Sequence, residues 1–463
     1  MAERGRVAVS TAVRPKLRPG VRKTLIVVAV WAVVWGFLSV AAAHNGFFDL
    51  KVYYGAMDYW VNRGGDIYDY LTPGTPYGFT YPPFAAALMT PMSLIGWHTA
   101  IFISVTLSVL SMLAVLTWLL GPVIKRQGWS FWFAMGIAMA LTAAFEPVRE
   151  TVNFGQVNIL LLFLVVGDVL LLVRGGRRLG GIGIGLATAI KLTPGVFIIY
   201  LLITRRWRAA AVATATATAA TWAAATFAPD ASRVFWTDAM WNTDRVGSPT
   251  FVSNQALTGL VGRIFNPDPM KPLWLLLVLI TLAVWYWRAR RAVKARDEVA
   301  GLALTGIVGC MVSPITWIHH LVWVLPALVV LFDYATDRSL DPRRRRNFAI
   351  AFGFSFALLC SRTPWAFHAK FDGLGLIGSN AYILLMIGML FALPIREPAD
   401  TGAAQRPASD PGSSSGPAVE DVPDLLEIDR QVTAAFDAKD PGGSVRSEAS
   451  RPGVERARPL VGA

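Results

Sequence analysis

LGGIGIGLATAIKLTPGVFIIYLLIT, residues 179–204, is the stretch on which the fold turns. It is long and apolar enough to cross a bilayer once, which takes roughly 20 residues. Arg174, Arg177 and Arg178 precede it, and Arg205, Arg206 and Arg208 follow it. A single crossing would put dense basic clusters on both faces, against the retention of Lys and Arg on the cytoplasmic side of inserted helices. Pro194 resolves the conflict, because proline lacks an N–H and disfavours helix in the residue before it. The stretch is therefore expected to break at Lys191-Leu192-Thr193-Pro194 into two short helices that return to the side they left.

Outward from that break, further apolar segments lie near residues 24–43, 99–120, 131–145, 157–173, 209–227 and 273–287, with four more after Val299. The expectation is an all-α, polytopic integral membrane protein with about 12 membrane segments. Hydrophobic residues make up 54% of the 463 and charged residues only 16%, a balance unsuited to a surface that faces water. The net charge of +13 sits in short clusters between apolar runs, without the interleaved aromatics of a base-stacking surface, so no nucleic acid is expected as a partner. With the broken stretch counted twice, Lys125-Arg126, residues 174–178, 205–208, 288–296 and 343–346 all fall on the N-terminal, cytoplasmic side. The outer loops are then residues 44–98, 146–156, 229–272, 313–320 and 362–380.

Three regions follow: a cytoplasmic segment over residues 1–23, a multi-spanning catalytic membrane domain over 24–395, and a disordered cytoplasmic tail over 396–463. The basic start and the Ala41-Ala42-Ala43 run also fit a signal peptide, but the apolar run exceeds the 7–15 residues or so of a signal core, which favours a retained first span. In the tail, composition shifts to Pro, Ser, Gly and charged residues. A weak helical spacing of Leu425, Ile428, Val432 and Phe436 leaves a short docking helix as the alternative. Cys310 and Cys360 support neither a disulfide framework nor a cysteine metal site.

Polar residues that packing cannot explain gather in the outer loops. Asp49 stands just past the first span, where a carboxylate can act as general base toward a lipid-borne substrate or merely cap a helix. YGFTYPPF, residues 77–84, surrounds Tyr81 with aromatics and prolines that suit either a sugar face or an interfacial belt. EPVRETVNFGQVN, residues 146–158, offers Arg149, Glu150, Asn153 and Gln156 for hydroxyl and phosphate recognition. Lys191, at membrane depth, needs a partner or a function, and a lipid phosphate would serve; snorkelling to an interface is the alternative. Arg245, Asn254 and Gln255 add polar candidates without diagnostic spacing. SPITWIHH, residues 313–320, brings His319 and His320 beside Trp317, and adjacent histidines on a helix diverge too far to share one metal. No metal site is expected, and the zinc-protease, nucleotide-binding and serine-hydrolase motifs are absent. Gly181 to Gly185 reads as a helix-packing glycine pattern.

FDLKVYY, FTYPPFAA, EPVRETVNFGQVN, AIKLTPGVF, SNQ and SPITWIHHLVWVLP, in that order, resemble the polyprenyl-phosphomannose-dependent alpha-1,2-mannosyltransferases of mycobacterial type, glycosyltransferase family 87 of the C superfamily. The resemblance covers residues 24–394 or so and is nearest to the branching enzyme of lipomannan and lipoarabinomannan. It implies the C-superfamily glycosyltransferase fold and a plasma-membrane site on the outer face. There mannose would pass from polyprenyl-phosphate-mannose to a lipoglycan acceptor, forming alpha-1,2 branches with inversion and no cofactor. It further implies Asp49 as base and the His319-His320 pair as active-site residues. A phosphatidylinositol mannoside acceptor, a secreted protein's Ser or Thr, and a non-enzymatic lipid-linked sugar transporter or flippase stand as alternatives.

Overall fold

The structure is a computed structural model that describes residues 18–41, 45–242, 247–265, 270–368 and 370–396. Arg245, the first residues of the N-terminal segment and almost all of the tail, including the 425–436 pattern, lie outside them. Among the described residues the protein is helical throughout, with one isolated bridge between Leu71 and Gly78.

Its exterior is apolar along the long helices. Only Val34 is buried in Pro19–Ala41, while Trp35 is 73% and Val40 88% exposed. Phe102 on Trp97–Gln127 and Trp222 on Trp207–Phe227 are likewise exposed. A helix apolar on every side, with its large side chains facing outward, is solvated by lipid. Charges mark where such helices end. Trp97–Gln127 carries Lys125 and Arg126 in its last turn and stops at Gly128, whose φ of 66° is the left-handed value glycine adopts freely. Pro342–Cys360 starts under the Asp341 carboxylate, which accepts from the Arg343 and Arg344 amides at 2.8 and 3.3 Å. On that basic side Arg396 pairs with Asp333 at 2.6 Å while Arg126 engages the other oxygen of Asp333.

Among the described residues four helices are long and apolar enough to cross a membrane: Pro19–Ala41, Trp97–Gln127, Lys271–Lys294 and Ile318–Thr336. Two bent pairs raise the total to six at most: Phe131–Ala144 with Glu146–Phe154, bent by 72°, and Gly373–Ser379 with Ala381–Ala392, bent by 68°. By length and composition alone these do not reach the count of about 12 expected from apolar runs. Runs of that composition at 157–173, 193–203 and 298–312 fold into helices too short to span on their own. Pro342–Cys360 opens on four arginines, and Trp207–Phe227 is rich in Ala and Thr. The protein is a multi-pass membrane protein.

The deciding stretch breaks where the sequence places the break. Ile182–Ile190 ends at Lys191, whose backbone is extended (φ −149°, ψ 132°), and after a tight turn over Thr193–Gly195 the chain resumes as Val196–Ile203. The glycines before it do pack helices. A Cβ on Gly181 would stand 2.2 Å from the Ala209 carbonyl oxygen, and one on Gly185 would stand 2.5 Å from that of Ala213. The Asp168 carboxylate accepts from the Gly181 and Ile184 amides at 2.8 and 2.9 Å, holding the start of this helix. One continuous apolar core runs from Leu50 to Leu393 and carries the site at its edge.

Candidate active site

Asp49 is set by local backbone chemistry. Phe47 adopts φ 56° and donates its amide to the Asn153 carbonyl at 2.9 Å, which turns the chain into the helix Phe48–Met57 with Asp49 in its first turn. The helix N-terminus favours a carboxylate there. The facing helix, Glu146–Phe154, ends at Gly155 with φ 70°, and the Gln156 amide reaches back to the Thr151 carbonyl at 2.8 Å. A Cβ on Gly155 would lie 2.6 Å from that of Leu50. This glycine lets Gln156 come beside Asp49. Gly155→Ala is expected to reduce activity by at least tenfold through that clash and the left-handed backbone, measured as initial rate per milligram of inserted protein; a rate within twofold of wild type would contradict this placement.

A directional chain of hydrogen bonds leads to the carboxylate. Tyr53 donates to the Tyr81 hydroxyl at 2.9 Å, Tyr81 donates to Gln156 Oε1 at 2.6 Å, and Gln156 Nε2 donates to Asp49 Oδ2 at 2.7 Å. Burial pushes the Asp49 carboxyl up to about 6, against the opposing pull of the Gln156 bond and of Lys191. Lys191 Nζ lies 3.3 Å from the Tyr81 hydroxyl, 3.2 Å from Asn158 Oδ1 and 3.0 Å from His320 Nε2. Asp49, Tyr81, Gln156, Lys191, His319, His320, Glu150 and Trp317 all line one cavity of about 450 Å³. Phe48, Tyr77, Phe154, Phe235, Phe251 and Trp365 give it aromatic walls. Such a mix of aromatic surface and a few convergent polar groups is what a sugar-bearing ligand needs.

The two histidines differ. His320 is occupied on both ring nitrogens, since its Nδ1 accepts from the Trp317 amide at 3.2 Å. His319 Nε2 is buried without a hydrogen-bond partner among the described residues. The backbone carbonyl of His319 accepts from Thr151 Oγ1 at 2.9 Å and Asn158 Nδ2 at 3.2 Å, which ties this loop to the 146–158 block. Glu150 accepts from Asn45 at 2.7 Å through Oε2, and its Oε1 has no hydrogen-bond partner among the described residues.

Three sequence candidates serve elsewhere. Arg149 is buried, donates to the Ala144 carbonyl at 2.8 Å and lies 5.5 Å from the Phe37 ring, outside the cavity lining. Asn254 and Gln255 are fully buried, and their side-chain amides are spent on backbone. Asn254 Oδ1 accepts from Thr316 at 2.9 Å, and Gln255 Nε2 donates to the Ser379 carbonyl at 2.9 Å while its Oε1 accepts from Ile383. They fasten the histidine loop to the last helices and lie outside the cavity lining. Asn153 contributes the carbonyl that receives Phe47. Tyr53 was not singled out from sequence, although it lies four residues from Asp49 and hence on the same helix face. Asn158 closes the 146–158 block and meets Lys191 there. Among the described residues no three His, Cys, Asp or Glu side chains converge as metal ligands.

The fold and cavity define a multi-pass helical membrane protein that gathers a carboxylate, an amine and an unengaged imidazole in one aromatic cleft. Comparison with known proteins places it: the profile of glycosyltransferase family 87 matches residues 79–314, and the chain belongs to that family. It is a glycosyltransferase. The chain is 34% identical over 319 residues (66% of this chain, 74% of the relative) to a Mycolicibacterium smegmatis protein named polyprenol-phosphate-mannose-dependent alpha-(1-2)-phosphatidylinositol pentamannoside mannosyltransferase. A Mycobacterium tuberculosis protein of the same name, from strain CDC 1551 / Oshkosh, is 30% identical over 78% of this chain and 81% of its own length. The polyprenol-phosphate-mannose-dependent alpha-(1-2)-phosphatidylinositol mannoside mannosyltransferase of M. tuberculosis strain H37Rv is 29% identical over 70% of this chain and 79% of its own length. No solved structure matches the chain.

Proposed function

We propose that this glycosyltransferase moves mannose from polyprenyl-phosphate-mannose onto a lipid-anchored mannoside, forming an alpha-1,2 linkage with inversion. The observation that carries the reading is the shared cavity: a carboxylate polarised by the Tyr53–Tyr81–Gln156 chain faces the same space as Lys191. In the reaction Asp49 takes the proton of the acceptor hydroxyl, that oxygen bonds to C1 of mannose, and the C1–O bond to phosphate breaks with its electron pair passing to the phosphate. Lys191 stabilises the charge that develops on the leaving phosphate, and His319 Nε2 is free to bond the sugar or the phosphate. Phosphate is already a good leaving group, so neither a metal nor a cofactor enters this mechanism.

The site belongs, in this reading, on the outer face of the plasma membrane in a C-superfamily fold, with about 12 membrane-embedded helical segments and with residues 24–395 as the catalytic domain between cytoplasmic ends. The acceptor is a phosphatidylinositol mannoside, a choice supported by the names of the relatives. Branching of the lipomannan and lipoarabinomannan mannan core is the second reading, supported by the block-by-block resemblance of the sequence.

Purified full-length protein incubated with radiolabelled polyprenyl-phosphomannose and both acceptors tests this directly. A labelled alpha-1,2 product identifies the acceptor; donor binding with no product on either acceptor would leave a carrier of the lipid-linked sugar. The raised Asp49 carboxyl adds a pH signature. Its base form is lost on acidification, so with saturating donor the transfer rate is expected to fall toward tenfold per pH unit below about 6 and to level off above it. A rate that stays flat down to about pH 4, near the ordinary carboxylate value, would show that another group is the base.

A further inference from the structure

The hydrogen bonds around Lys191 can be counted atom by atom. The Trp317 amide donates to His320 Nδ1 at 3.2 Å, so this nitrogen offers its lone pair and the ring proton resides on Nε2. Nε2 lies 3.0 Å from Lys191 Nζ. An ammonium there would set donor against donor. Moving the ring proton to Nδ1 only transfers the conflict to the Trp317 amide, and an imidazolium would conflict with both neighbours.

A neutral amine fits every partner. Its lone pair accepts from His320 Nε2–H, and its two hydrogens go to the Tyr81 hydroxyl at 3.3 Å and Asn158 Oδ1 at 3.2 Å. Those partners agree in direction. The Tyr81 hydroxyl gives its own hydrogen to Gln156 Oε1, and the Asn158 Nδ2 is turned to the His319 carbonyl, which leaves Oδ1 to accept.

We propose that Lys191, in this arrangement, is a neutral amine, and that seating a phosphodiester anion beside it draws one proton from the outer aqueous phase onto Nζ. Donor binding is then coupled to proton uptake, and the resulting ammonium is present when the leaving phosphate gains charge. Departure of the polyprenyl phosphate returns the proton. The inference rests on the donor assignment of the preceding subsection and adds how the site meets that donor. The groups facing Nζ are Asp49 and Tyr81 from the outer loop, Asn158, Cys310, His319 and His320. Of these, Asp49, Cys310 and the Tyr81 ring, 5.1 Å away, favour the ammonium, but none of them takes a hydrogen bond from it in place of His320. They keep protonation within reach of an arriving anion.

The test is calorimetric titration of the full chain in lipid nanodiscs with farnesyl phosphomannose, a diester with no second proton, in the absence of acceptor. At about pH 8, buffers of different ionisation enthalpy are expected to report uptake of about one proton per molecule bound, and the association constant should fall toward tenfold per pH unit at higher pH. Lys191→Arg, permanently charged, is expected to bind with no uptake. Binding by wild type without proton uptake would overturn the proposal, as would uptake that persists in Lys191→Arg. Should Lys191→Arg fail to insert, Lys191→Met decides: uptake lost supports Lys191, and uptake retained assigns the proton to another group and overturns the proposal. Failure of wild type to bind the probe at all would instead remove the donor assignment and the coupling with it.

Discussion

Asp49→Asn is expected to insert, fold and bind the donor, yet to lose transfer by about 10²–10⁴-fold, the range a positioned general base contributes. The substitution is nearly isosteric. An Asn oxygen can still accept the Gln156 Nε2 hydrogen that now spans 2.7 Å to Oδ2, so the Tyr53–Tyr81–Gln156 chain is retained and the cavity keeps its shape. What disappears is a group able to take a proton at neutral pH. The loss corresponds to roughly 3–5 kcal/mol of transition-state stabilisation and should appear in kcat, with the donor's KM little changed. Initial rates with purified variant and saturating donor check it. Transfer within tenfold of wild type would take the base role from Asp49 and move attention to Glu150, which lines the same cavity and whose Oε1 is buried without a hydrogen-bond partner among the described residues.

Lys191→Met is expected to lower kcat by about 10²–10³-fold, as loss of one preorganised donor to a developing oxyanion does elsewhere, and to raise the donor's KM as well. Methionine matches the length and apolar stem of lysine, so the break after Ile190 has no new steric conflict. It removes the nitrogen that holds Tyr81, Asn158 and His320 within 3.3 Å of one point. His320 Nε2 then has no partner from that side, and some loss of thermal stability accompanies the loss of rate. Measuring kcat, KM and melting temperature separates the two effects. A variant with near-normal kcat would mean that Lys191 only snorkels from a buried stem toward the interface, the alternative its sequence context allows.

Much of this arrangement can be anticipated from residues alone, and the parts that cannot share a cause. The break at Lys191-Leu192-Thr193-Pro194 follows from covalent chemistry and from the basic residues on either side, both of which act locally. The grouping of Asp49, Gln156, Lys191 and the histidines in one cavity follows less directly, from polar residues that an apolar environment would otherwise reject. Asn254 and Gln255 look equally available in sequence, yet their amides close on the Thr316 amide and the Ser379 carbonyl. Their partners are remote in the chain, so no spacing reveals them. Arg149 is diverted in the same way, to Ala144 and Phe37.

By itself, then, the sequence determined that the chain lives in a membrane, where its glycines and prolines interrupt the helices, and which polar residues stand out against apolar surroundings. These depend on residue chemistry and near-neighbour sterics. Only the tertiary structure decided how many helices are long enough to span, which of the two histidines is free, and that Tyr53 stands at the head of the chain ending on Asp49. Those outcomes depend on which long-range partners each donor and acceptor finds, because a buried polar atom is defined by the group opposite it, and that group comes from another part of the chain.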